Sequence, residues 1–197
     1  MQVVLATEDA LSEAIGMLLL SELSSPVVPN LRLRKQGFGY LRSNMSKWRA
    51  LAQSQVVLLL TDLDDKTCPM SLKTDWTGSV PLPSNLMLRI AVREVESWVL
   101  ADHDALRELI GNKGAFPHHP DTLAEPKQYL LNLARRAPRN IREDLIVERG
   151  AAASQGLGYN NVLVDWIQSK WNPERAASRS PSLRRMRERL REMASKD

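Results

Sequence analysis

The residues of this chain best placed to do chemistry are carboxylates that follow apolar runs. Gln2 to Ala6 lead into Thr7-Glu8-Asp9, and the apolar stretch Val56 to Leu60 leads through Thr61 into Asp62, Asp64 and Asp65. An apolar run without polar alternation reads as a strand buried on both faces, as in a parallel sheet covered by helices. Ligands of such sheets collect beyond the carboxyl ends of the strands. In extended geometry Asp62 and Asp64 point the same way. Two adjacent carboxylates repel unless a cation or a proton lies between them, and Mg²⁺ or Mn²⁺ suits an all-oxygen donor set. Glu8 joins them if its strand lies parallel and central. Glu96, near the start of the helix after a fourth apolar run (Leu86 to Val92), is expected near the same edge. That arrangement suits one or two divalent ions holding a phosphodiester for in-line attack. Glu94 and Glu96 are two apart and do not share a helical face, so one of them at most is expected at the ion.

A second set of residues could bind anions. Lys127 falls in the first turn of a helix, where the dipole disfavours a cation, which suits an anionic partner such as phosphate, although an ordinary surface lysine has the same placement. Tyr159 and Asn160 follow a Gly-rich stretch and could stack on or hydrogen-bond a ligand. Arg184, Arg185, Arg187 and Arg191 lie on a last, basic helix. From 172 to 197 there are eight Lys or Arg against four Asp or Glu, which accounts for the whole net charge of +4. A basic segment on a neutral body is a footprint for nucleic acid, although a solvated amphipathic helix has the same composition. Asp102 reads as a helix cap. His118 and His119 have no partner at zinc-ligand spacing, Cys68 is the only cysteine, and no Gly-rich phosphate loop is present to hydrolyse ATP.

The elements that must position these residues follow from periodicity. Ala10 to Leu23 has a helical period, capped by Thr7 or Asp9. Leu31 to Lys35 alternates apolar and basic as a strand nearer an edge, Gly37-Phe38-Gly39 breaks the chain, and Tyr40 to Gln53 reads as one helix. Lys66 to Asn85 reads as a long loop. After Asp102 no strong strand is seen, and Arg149 to Gly158 reads as a flexible loop. Tyr159 to Trp171 and Ser182 to Met193 are helical. The βα alternation predicts an α/β fold: a mostly parallel sheet of about four strands covered by helices over residues 1–105, with a helical C-terminal extension over 106–197 packed on it. The hydrophobic share of 43% suits a globular protein. No apolar run approaches the roughly 18 residues needed to cross a bilayer. The start has no basic leader and cleavage site, so a cytoplasmic protein is expected.

Glu8 after a first strand and Asp62-Leu63-Asp64 after a later one resemble the TOPRIM domain of topoisomerases, primases and OLD-like nucleases, over about residues 1–105. Asp9 stands where many such domains carry glycine. The segments Arg93 to Asp102, Pro126-Lys127, Gly158-Tyr159-Asn160 and Ser180-Pro181-Ser182-Leu183 are similar to an uncharacterised family of bacterial TOPRIM-related proteins, often encoded beside an ABC- or SMC-type ATPase. The resemblance implies a Mg²⁺- or Mn²⁺-dependent nuclease active on DNA or RNA, with an ATPase partner and a role in phage defence. It makes Glu8 a metal ligand or general base, Asp62 and Asp64 metal ligands, and Glu96 an accessory carboxylate. The alternative from another class is a non-catalytic subunit that docks on the ATPase and regulates it. A phospho-receiver would also place acids at Glu8, Asp9 and Asp62, but it needs a hydroxyl residue after strand four, where Arg93 stands.

Overall fold

The computed structural model describes residues 2–34, 38–149 and 152–195. Lys35 and Gly37, read above as a strand end and a break, lie outside them. The chain divides into two compact units, one made of residues 1–92 with 185–197 and the other of 93–184. The expected boundary at 105 thus has its counterpart at 92/93, and the first unit takes up the last residues of the chain.

The first unit is built on a four-stranded, all-parallel sheet of Val3–Thr7 (β1), Leu31–Arg34 (β2), Val56–Asp62 (β3) and Leu86–Ala91 (β4), in the order β2-β1-β3-β4. β1 and β3 are central and buried on both faces, which is why they read as unbroken apolar runs. β2 is an exposed edge and alternates Leu with Arg.

Val4, Ala6, Val57, Leu59, Leu86 and Leu88 turn to one face. There they meet Leu41 of Phe38–Ser43 (α2), Met45 and Trp48 of Met45–Leu51 (α3), and Leu72 and Trp76 of Pro69–Thr77 (α4). On the opposite face Leu5 packs against Gly16 of Ala10–Ser21 (α1), where an added Cβ would stand 3.0 Å from a Leu5 methyl. The helix expected over 40–53 is broken at Asn44, whose side-chain amide donates to the Tyr40 carbonyl. The loop expected over 66–85 contains α4. Cys68 and Ser71 form a reciprocal cap there, with Pro69 at the first helical position.

The second unit surrounds Glu96–Ala101 (α5), a helix with all six residues buried. Against it pack His103–Ile110 (α6), Pro126–Ala134 (α7) and Pro173–Ala177 (α10). Arg139–Leu145 (α8) packs on α7 and on Tyr159–Ser169 (α9). Where a flexible loop was expected, Ile146–Arg149 (β5) and Ala152–Gln155 (β6) pair as an antiparallel hairpin. Gly156 closes it: its N–H donates to the Leu145 carbonyl, and a Cβ there would lie 2.3 Å from the Asp144 carbonyl oxygen. Trp98, Trp166 and Trp171 are buried, as expected of apolar helical faces. Their indole N–H groups donate to the Ser182 hydroxyl, the Ala105 carbonyl and the Trp98 carbonyl. The last helix, Pro181–Ala194 (α11), begins in this unit and ends in the first. No helix among the described residues is long and apolar enough to cross a membrane.

Candidate functional site

In the first unit the chain leaves β1 for α1 on one face of the sheet and later reaches β3, on the other side of β1, by way of α2 and α3 on the opposite face. The sheet therefore changes winding direction between β1 and β3, and the crevice beyond their carboxyl ends is where open α/β sheets bind ligands. The register pairs Thr7 with Leu60, so the next residues, Glu8 and Thr61, emerge side by side.

The Glu8 carboxylate accepts from the Thr61 hydroxyl and, at 3.3 Å, from the Asp62 backbone N–H, both through Oε1. Glu8 and Asp62 are half-buried. Burial pushes the Glu8 carboxyl above its usual range, and the nearby Asp64 and Asp9 charges add to this, against the two hydrogen bonds. Asp64 is raised as well, by partial desolvation and by Asp65. Asp9 is committed elsewhere, because its Oδ1 caps α1 by accepting from the Ser12 N–H at 2.8 Å.

Asp64 departs from the extended geometry expected of it. β3 ends at Asp62, Leu63 turns into the core and donates its N–H to Ala91, and Asp64 adopts φ +48° in a turn. It is the only non-glycine with positive φ among the described residues. Aspartate tolerates this left-handed conformation better than most residues, and such conformations concentrate at functional sites. Asp62 and Asp64 are thus related by a turn rather than by strand alternation. Among the described residues no group of three His, Cys, Asp or Glu side chains is drawn together as a ready-made metal cage. The donor chemistry nevertheless suits a hard divalent cation, since oxygen ligands that mutual repulsion and burial both push toward protonation would be relieved by one.

The second unit holds its own cluster. Glu96 is 4% exposed and accepts from the Tyr159 hydroxyl at 2.9 Å. Burial pushes its carboxyl up to about 7, and the Lys127 charge and the Tyr159 bond only partly oppose this. Lys127 Nζ lies 5.3 Å from the Tyr159 ring centroid. Glu94 accepts from the Lys127 backbone N–H at 2.7 Å and so caps α7. The anionic neighbours of Lys127 are therefore the carboxylates of its own chain. Because α5 begins only at Glu96, Glu94 precedes the helix, and the helical-face argument that separated the two glutamates does not apply.

Asp102 is a cap, as expected, and more. Fully buried, it accepts from the Ala105 and Asn172 N–H groups and takes two bonds from the Arg175 guanidinium. On the last helix Arg184, Arg185 and Arg191 are exposed, while Arg187 reaches Glu22 at 3.4 Å with its side chain only 10% exposed. The sequence reading passed over Thr61, which carries no signal beyond being a polar residue at the end of an apolar run. Arg89 was passed over as well, and Arg189 was read only as part of the basic helix from Arg184 to Arg191. Comparison with family models, with curated proteins and with solved structures finds no match to this chain.

Proposed function

We propose that the first unit is a TOPRIM-like domain that cleaves phosphodiester bonds of nucleic acid with Mg²⁺ or Mn²⁺ held by Glu8, Asp62 and Asp64. The observation that carries the proposal is the hydrogen-bonded pairing of Glu8 with Thr61 and Asp62 at the winding reversal between β1 and β3. When bound, such an ion supplies polarisation of a phosphoryl oxygen and activation of water.

The chain's own residues do the rest. Thr61 and the Asp62 amide fix one Glu8 oxygen and leave the other without a hydrogen bond to the described residues. The turn at Asp64 carries its carboxylate past the strand end. Arg184, Arg185 and Arg191 present exposed cations for phosphates, with a contribution that weakens as salt rises. Glu96, which accepts from Tyr159 and lies near the Lys127 charge, belongs to the second unit's own cluster and is assigned no part in this metal site.

Titration calorimetry with Mn²⁺ and Mg²⁺, paired with nicking of supercoiled plasmid, tests the proposal on wild type and on the Asp62→Asn, Asp64→Asn double variant. Metal binding and nicking that both vanish in the double variant are expected. Equal metal affinity in the two proteins overturns the site. Metal binding without nicking favours the regulatory subunit of an ATPase over the nuclease.

A further inference from the structure

A cavity of about 450 Å³ opens in the first unit, and Glu8, Asp62 and Asp64 are not in its described lining. It lies along β4, the sheet edge opposite β2. Lys73 of α4, Arg89 of β4 and Arg189 of α11 line it, and so do the hydroxyl residues Thr77, Ser79 and Ser84; no acidic side chain is in its described lining. Arg89 is largely buried, and its Nε has no hydrogen-bond partner among the described residues. Burial first, and then the charges of Arg189 and Arg185, disfavour its cationic form, with only Glu192 acting the other way. Glu192 pairs with Arg189 at 2.7 Å, but both side chains are about half exposed, so that pair yields readily to a competing anion.

Buried guanidinium N–H groups are nearly always satisfied, and like charges do not gather without a counter-charge. A tetrahedral oxyanion supplies both, because phosphate oxygens match the guanidinium fork. The cavity is in the size range of small-molecule sites and exceeds what a bare phosphate fills. Its other wall is the apolar stretch Leu82-Pro83. The backbone just before it is tethered: the Arg49 guanidinium donates to the carbonyls of Pro81 at 2.6 Å and Val80 at 2.8 Å. A pre-formed wall lowers the ordering cost of binding.

The geometry points to a nucleotide-binding pocket, in which Arg89, Arg189 and Lys73 grip the phosphate and the Leu82-Pro83 wall receives the nucleoside. The nucleotide is either free or part of a single strand. The assignment uses none of the carboxylates and stands or falls apart from the metal proposal.

The test is calorimetry in EDTA with three probes: inorganic pyrophosphate, a nucleoside monophosphate and an oligothymidylate strand. Wild type is compared with Arg89→Gln and with Arg189→Ala, the latter a half-exposed position that leaves folding intact. Each lost charge-assisted contact is expected to weaken binding about tenfold or more. A monophosphate that binds as tightly as the strand assigns the pocket to free nucleotides. A tighter, steeply salt-dependent strand assigns it to nucleic acid. Absence of binding by all three probes at millimolar concentration, or equal affinity in wild type and both variants, overturns the pocket.

Discussion

Glu96 is a carboxylic acid placed where ionisation is costly, and this makes the stability of the protein depend on pH in a definite direction. With the folded group raised to about 7 from an unfolded value of 4.5, the native state holds more protons than the unfolded chain between those values. The contribution is fully present below pH 4.5 and is lost as pH rises through 7, a swing on the order of 3 kcal/mol. In Glu96→Gln the fall in Tm between those limits should flatten; a Tm profile parallel to wild type would show that the burial is not what sets this proton. Asp102 is a different kind of buried acid, because two guanidinium bonds and two amide bonds hold it. Asp102→Ala strands the Arg175 guanidinium and two N–H groups and should lower stability by about 3 kcal/mol, read from urea unfolding. At this scale the sequence was most legible where chemistry and backbone coincide. Glu8 and Asp62 announce themselves because each directly follows a buried strand or closes one. Asp64 announces itself in the same run, but its geometry does not, since only the fold reveals that the strand has already ended and that the residue sits at φ +48°. Arg89 was silent for the opposite reason: a single arginine in an apolar strand looks like an edge residue until α11 brings Arg189 beside the same cavity.

The elements that were misread share a short length and a reliance on tertiary contacts. α4 has only Leu72 and Trp76 buried, one helical turn apart, too few apolar positions for periodicity to outweigh the prolines and glycine around it. Its start was nonetheless written in Cys68-Pro69-Met70-Ser71, a cap that uses a thiol in place of the usual oxygen. The β5–β6 hairpin has four-residue strands: β5 carries only Ile146 and Val147 as good strand formers and β6, Ala152-Ala153-Ser154-Gln155, carries none, so neither stands out in the sequence. Gly156 is the residue at which the tertiary contacts matter most. Gly156→Ala drives a methyl into backbone atoms that cannot rotate away, and should cost about 3 kcal/mol or more. Gly16→Ala meets only the movable end of Leu5 and should cost clearly less. Chemical unfolding of the two variants side by side checks the order; equal losses would mean that the hairpin backbone gives way freely.

At the level of the whole molecule, the parallel sheet was predictable from the alternation of strands and helices, whereas the division into units was not. Sequence order suggested a core followed by an extension. Instead residues 185–197 return to the first unit, where Met186 and Leu190 are buried, Leu190 beside Leu19 and Leu23, and Arg187 meets Glu22. A contact between segments so distant along the chain has no local signature. A chain ending at residue 184 should therefore leave part of the α1 face uncovered, melt at lower temperature and bind a hydrophobic dye in its native state. Retention of wild-type Tm and dye response would show that the last helix is dispensable to the first unit.

That return also sets an order of events during translation. Every residue of 93–184 has been made before the first unit receives its last segment. The strands and α1–α4 leave the ribosome first with their core residues all present, while the α1 face around Leu19 and Leu23 stays uncovered until the last helix has been made. On stalled nascent chains of increasing length, the stretch around Leu19 to Leu23 should gain full protease resistance only once residues 185–197 have left the ribosome; full resistance at a shorter length would show that the last helix is not what covers it. Until then the sheet's edge lacks Arg189, so the nucleotide pocket is among the last features of the protein to be completed.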